Sequence, residues 1–95
     1  MKEYRVDFSK VKSLWDLHYA LKIGLELPEY YGMNMAALWD CLTWDIDDPA
    51  TIYLMGVRSL PKEFDRMVKI MMEVFDRAEK WYVKVNSSIH VIVVD

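Results

Sequence analysis

Three short β-prone runs, Tyr4–Phe8, Thr51–Met55 and Ile89–Val94, never stand next to one another, because segments of helical periodicity separate each from the next. Tyr4, Val6 and Phe8 alternate with polar residues, Thr51–Met55 is rich in β-branched and aromatic residues, and Ile89–Val94 is almost continuously apolar. Strands divided in this way cannot be joined by hairpin turns. They need crossovers, and crossovers make the sheet parallel. The expected class is therefore α/β, a small three-stranded parallel sheet flanked by three to four helices. The unbroken apolar character of Ile89–Val94 predicts a strand buried on both faces. At 95 residues the chain is expected to be one domain, residues 1–95, built on one core.

The helices announce themselves by caps and stripes. Ser13 is a good N-cap with Asp16 three residues on, and Leu14, Leu17, Leu21 and Leu25 form one apolar stripe that ends near Gly24, the expected C-cap glycine. Leu27–Gly32 (LPEYYG) reads as a loop, with Gly32 free to take a positive φ. Asn34 is a credible N-cap for a second helix running to about Leu42. The strongest helix runs from Ser59 to about Lys80, with a possible break near Asp65. Its apolar side is Phe64, Val68, Met71, Met72 and Phe75. Trp81–Ser88 fits two descriptions: a strand at Tyr82–Val85 turned by Asn86–Ser88, or an extended lead-in to the last strand.

Composition excludes several functions. Hydrophobic residues make up 54% and charged residues 28%, which is incompatible with disorder over most of the chain. One cysteine, Cys41, excludes an internal disulfide and any cysteine-rich metal site. Val91–Val94 is the longest aliphatic run, far short of the roughly 20 residues of a membrane span. With no apolar signal segment at the N-terminus, a cytoplasmic location is expected. The glycines at 24, 32 and 56 stand alone, so there is no phosphate-cradling loop. His18 and His90 have no serine, cysteine or acid at triad or metal spacing and are expected to be satisfied structural residues. Asp45, Asp47 and Asp48 lack the glycine and closing glutamate of a calcium loop. No catalytic residue, cofactor or metal is expected. The methionines of the long helix read as core gap-fillers, while Met33 and Met35 border Asn34.

The net charge of −3 is unevenly spread. Residues 23–57 contain no Lys or Arg and carry Glu26, Glu29, Asp40, Asp45, Asp47 and Asp48, while the rest of the chain is net basic. A surface built from this middle segment repels nucleic acid and attracts a basic partner. On a helical wheel, Ala37, Leu38, Cys41 and Leu42 form the buried side of the second helix. Ala36, Trp39, Asp40 and Thr43 form the side that faces solvent. A large aromatic beside a carboxylate on that face, with Tyr30 and Tyr31 before the helix and Trp44 after it, is the composition of a protein-binding hot spot. Asp40 also has no base at i±3 or i±4.

The run Leu27-Pro28-Glu29-Tyr30-Tyr31-Gly32-x-Asn34-x-x-Ala37-Leu38-Trp39-Asp40-Cys41-Leu42-Thr43 resembles the signature of the barstar family, intracellular inhibitors of the bacterial ribonuclease barnase. Asp16-Leu17-His18 and Val74-Phe75 also resemble their counterparts there. The resemblance is dense over residues 14–44 and thin but colinear elsewhere. It implies a barstar-like fold and an inhibitor that plugs the active site of a basic extracellular-type ribonuclease with its second helix and the preceding loop. Asp40 would enter the phosphate pocket and pair with the enzyme's arginines and histidine, Tyr30 would pack on that histidine, Trp39 and Thr43 would flank the plug, and Trp44 would sit at its rim. Tyr31, Asn34 and Ala36 complete the expected partner-binding set. The expected state is a monomer with no direct nucleic-acid or membrane contact.

The chain also departs from that pattern. Position 36 is Ala where the family has an acid, and position 77 is Arg where it has a binding glutamate, unless a one-residue slip places Asp76 there. About one residue is missing around Thr43–Trp44, and residues 81–88 are longer than in the family. Both substitutions remove negative charge from the expected surface. The alternative reading is an immunity or docking protein that uses the same surface for a different basic toxin or partner. Met33 and Met35 are placed to set which enzyme is accepted.

Overall fold

The structure is a computed structural model that describes residues 1–95. Strand β1 spans Lys2–Asp7, helix α1 Leu14–Gly24, helix α2 Met35–Trp44, strand β2 Ala50–Met55, helix α3 Asp65–Lys84 and strand β3 Ile89–Val94. Two short 3-10 turns, Val57–Ser59 and Lys62–Phe64, lead into α3, so the long helical segment does break at Asp65. The sheet is parallel with order β1-β2-β3, as its crossovers require, and Tyr4, Ile52 and Val91 lie in register. No helix is long and apolar enough to cross a membrane.

The strand order steps across the sheet in one direction. Right-handed crossovers taken in one direction put every helix on the same face. That face carries Tyr4, Val6, Ala50, Ile52, Leu54 and Ile89, all buried, against α1 and α3. The other face is open at its edges. Ile92 and Val94 are 42% and 39% exposed, so β3 is an edge strand buried on one face, not two. The central strand β2 is more fully buried than β3, with only Tyr53 and Met55 half-buried on the open face. His90 is likewise an exposed residue of this open face and not a satisfied core histidine.

The outer edge of β3 is partly closed by α3. Glu79 accepts a hydrogen bond from the Val91 main-chain N–H at 3.0 Å. That amide is one of the unpaired donors that make an edge strand adhesive.

Helix α1 begins where expected, with the Ser13 hydroxyl accepting from the Asp16 N–H. Leu17, Leu21 and Leu25 are fully buried, each contributing about 1.5–3 kcal/mol of burial. Leu14, expected on the same stripe, is 50% exposed because it opens the helix before the helix reaches the sheet. Gly24 is not a C-cap. Leu25 caps the helix, and the left-handed residue is Glu26 at φ 55°. The glycine serves a close approach instead: a Cβ there would lie 2.6 Å from the Arg5 carbonyl oxygen and 2.7 Å from Val6 Cα. The positive φ expected at Gly32 falls on Met33.

Residues 81–84 continue α3, which overturns both a strand at Tyr82–Val85 and an extended lead-in. Tyr82 and Ala78 are buried on the α3 stripe, whose 3.6 period outweighs the short alternation Tyr82-Val83-Lys84-Val85. The turn to β3 is made after the helix, with Asn86 at φ 60°. Helix α2 packs chiefly on α3, not directly on the sheet.

Candidate partner-binding site

The loop before α2 is anchored from below. Leu27 and Tyr31 are buried. The Tyr31 hydroxyl and His18 Nδ1 are hydrogen-bonded at 2.8 Å inside the core. Burial pushes the Tyr31 phenol up and the His18 imidazolium down, so both partners are held neutral. Asn34 then opens α2 as expected. Its Oδ1 accepts from the Ala37 N–H at 2.8 Å, and its Nδ2 donates to the Gly32 carbonyl at 3.1 Å.

The far end of α2 is held by other elements. It has no basic residue in its last turn and no C-cap glycine. The Tyr82 hydroxyl, from α3, donates to the Leu42 carbonyl, one of the terminal carbonyls that a helix cannot satisfy internally. Burial holds the Tyr82 phenol up at about 12, so it remains a donor across the physiological range. The Thr43 hydroxyl donates back to the Trp39 and Asp40 carbonyls. Cys41 is buried on the inner side, its thiol pushed up to about 11 by burial and then by Asp45.

The expected residues divide into groups. Tyr30, Asp40 and Trp44 border a shallow hollow of about 270 Å³ that also includes Asp45. Tyr30 is 72% exposed and Trp44 85%. Tyr31 lines the floor of this hollow but is only 5% exposed, which corrects the expectation of a surface contact. Its ring belongs to the core, and its role is to set the loop over α1. Ala36 is exposed on the outer side of α2, and Asn34 is exposed but occupied by capping. Thr43 is half-buried at the back of the last turn. Trp39 is half-buried and turns to the opposite flank of α2, where the Arg77 guanidinium lies 4.6 Å from its ring centroid. Sequence reasoning thus expected Trp39 and Asp40 side by side, and the structure sends them to different flanks.

Asp45 is the residue the sequence argument undervalued. The Tyr30 hydroxyl donates to its Oδ1 at 2.6 Å, a charge-assisted bond that raises the Tyr30 phenol above its ordinary value and fixes an otherwise mobile exposed ring. The signal was available: Asp45 is the first acid after the helix, in the segment without bases.

Asp40 itself is exposed and forms no ion pair. Asp40 and Asp45 both lie in the C-terminal half of α2 or just past it, where the helix dipole is negative. That placement is unfavourable to the free protein and favourable to any cation that docks there. A carboxylate at such a site accepts bidentate bonds from guanidinium groups. No group of three or more His, Cys, Asp or Glu side chains converges to hold a metal ion.

A Bacillus subtilis (strain 168) protein named "Putative ribonuclease inhibitor YrdF" is 43% identical over 54 residues, which is 57% of this chain and 59% of that protein. The family model described as Barstar (barnase inhibitor) matches residues 1–94. With the parallel sheet, the anchored loop and the acid-bearing second helix, the chain belongs to the barstar family.

Proposed function

We propose that the protein inhibits a basic, barnase-like bacterial ribonuclease by plugging its active site with α2 and the loop Leu27–Asn34. The observation that carries this reading is Asp40: an exposed, unpaired carboxylate on a helix whose two ends are tied down by Asn34 and Tyr82. Its family membership and its inhibitor-named relative support the same reading. In the complex Asp40 occupies the place of a substrate phosphate and pairs with the cations that bind it. Tyr30, pre-set by Asp45, packs beside it, and Trp44 covers the rim. The inhibitor performs no chemistry. It excludes RNA by occlusion and by presenting the charge that RNA presents, and RNA itself is not its ligand, because the acidic face repels phosphate.

Preorganisation is what makes such a surface effective. Side chains already held at their binding geometry lose little entropy on association. Electrostatic complementarity accelerates encounter and makes the association rate fall with salt.

The test is titration into a barnase-type guanyl-specific ribonuclease with RNA substrate at low salt, beside the Asp40→Ala variant. Removing one member of a buried charge pair costs about 2–5 kcal/mol, so the variant should lose at least about thirtyfold in affinity. Inhibition that survives Asp40→Ala unchanged refutes active-site plugging through this residue. A second reading, binding of a different toxin or partner through the same surface, is favoured by Arg77 over Trp39, which sets a positive charge next to the plug where a uniformly basic enzyme face would be repelled.

A further inference from the structure

Helix α2 separates two hollows of opposite charge. On one flank Tyr30, Asp40, Trp44 and Asp45 border the acidic hollow described above. On the other, between α2 and the C-terminal half of α3, a hollow of about 260 Å³ is lined by Trp39, Arg77, Lys80, Trp81 and Lys84. No carboxylate lines it. Arg77 and Lys84 have no acidic partner, and Lys80 has only an exposed i,i+4 pairing with Asp76 at 2.9 Å. Of the nearby acids, Glu79 is engaged at the edge of β3, Asp76 pairs with Lys80, and Glu73 and Asp76 border a separate hollow on the other side of Arg77 without forming an ion pair with it. The Arg77 guanidinium lies over the Trp39 indole, 4.6 Å from its ring centroid, and forms no ion pair, so its N–H groups are free to donate.

We infer that the target presents a carboxylate-bearing rim to Arg77, beside the basic cleft that receives Asp40. This rests on the inhibitor reading and specifies its partner: a ribonuclease-type domain with a two-signed face, acidic where it meets the α2–α3 hollow. A uniformly basic face would set like charges against Arg77 and Lys84, and such juxtaposition at a dry interface opposes binding. A planar guanidinium stacked on an aromatic ring is suited to bidentate recognition of a carboxylate. An RNA strand fits less well. Arg77 covers one face of Trp39 that a base would need, and the acids on the neighbouring flank repel phosphates.

The test uses a barnase-type guanyl-specific ribonuclease and a set of its variants, each with one Lys or Arg at the rim of the active-site cleft changed to Glu. Inhibition by the wild-type protein, Arg77→Glu and Lys84→Glu is measured against every enzyme, with Asp40→Ala as a parallel control. Arg77 and Lys84 are exposed, so both variants should fold. At least one rim reversal should tighten inhibition by the wild type about tenfold and weaken inhibition by Arg77→Glu by a similar factor. Rim reversals that act equally on wild type, Arg77→Glu and Lys84→Glu overturn the inference while leaving Asp40-dependent inhibition, and hence the inhibitor reading, intact. Failure to inhibit any enzyme of the set removes both. Binding of a fluorescein-labelled oligouridylate to the wild type but not to Arg77→Glu also overturns it.

Discussion

Tyr82→Phe removes one oxygen atom and leaves a ring of nearly the same shape, so its effect isolates the bond from α3 to the last turn of α2. Tyr82 is 2% exposed and Leu42 fully buried, so water cannot reach the Leu42 carbonyl once the hydroxyl is gone. No main-chain N–H bonds that carbonyl, because it lies among the last four of the helix. An orphaned buried acceptor costs about 1–3 kcal/mol. Taking about 2 kcal/mol, a domain of this size should lose roughly 8–16 °C in Tm. In urea the midpoint should fall by about 1 M for a slope near 2 kcal/mol per M, with the slope unchanged. Tyr30→Phe is the matched control. It also deletes a donated hydrogen bond, at 2.6 Å to Asp45, but at a ring that is 72% exposed, where water replaces the lost partner. Its cost should stay below about 0.5 kcal/mol. If the two variants are destabilised equally, α2 is not held by the Tyr82 hydroxyl, and the account of how its last turn is fixed is wrong.

Three further outcomes are expected. His18 is buried with its pKa lowered by desolvation, so above its ordinary value of 6.5 the ring is neutral both folded and unfolded and contributes no pH dependence. Below that value the unfolded chain binds a proton that the folded one refuses, and stability falls with pH by up to about 1.4 kcal/mol per unit. Urea midpoints measured from pH 7 to about pH 5.5 should show that slope in the wild type and a shallower one in His18→Asn; parallel slopes contradict it. Gly24→Ala places a methyl against the β1 backbone, where the nearest atom is 2.6 Å away, and should cost at least about 1–3 kcal/mol by thermal unfolding. Glu79→Ala frees the Val91 N–H at the sheet edge and should raise the apparent mass in concentration-dependent light scattering, with no change expected if that edge is already protected by other means.

Much of the architecture was legible because its signals are local and periodic. Ser13 and Asn34 cap the helices they were expected to cap, and the inward alternation Tyr4, Val6, Phe8 holds. The errors arose where tertiary packing overrides local pattern. Tyr82–Val85 alternates like a strand, yet the α3 stripe extends through Tyr82, whose ring is needed beneath α2. Gly24 looks like a helix stop, but its lack of a side chain is used for contact with β1, which no window of neighbouring residues can reveal. Ile89–Val94 was expected to be covered twice because all its residues are apolar. Sheet order, not composition, decides which strand is central.

The site shows the same division. The acid-bearing segment and the exposure of Ala36 and Asp40 could be read from charge and helical phase, but helical phase also put Trp39 and Thr43 on that exposed face, where both are half-buried. The roles of Tyr30 and Tyr31 could not be read in this way, because adjacent loop residues point to opposite sides: one ring stands 72% exposed and the other is 5% exposed. The placement of the Arg77 guanidinium over Trp39 joins positions 38 residues apart and has no signature in either neighbourhood.

The one-sided covering of the sheet gives the molecule a back as well as a front. Helix α2 is mounted on α3, and α3 in turn on the covered face, so Arg5, Tyr53 and Ile92 look out from the far side of the sheet. A tether, dye or fusion attached there would stand a full layer of helices away from the surface that carries Asp40. The protein could then be fixed to a sensor or displayed on a carrier with its binding helix still facing outward.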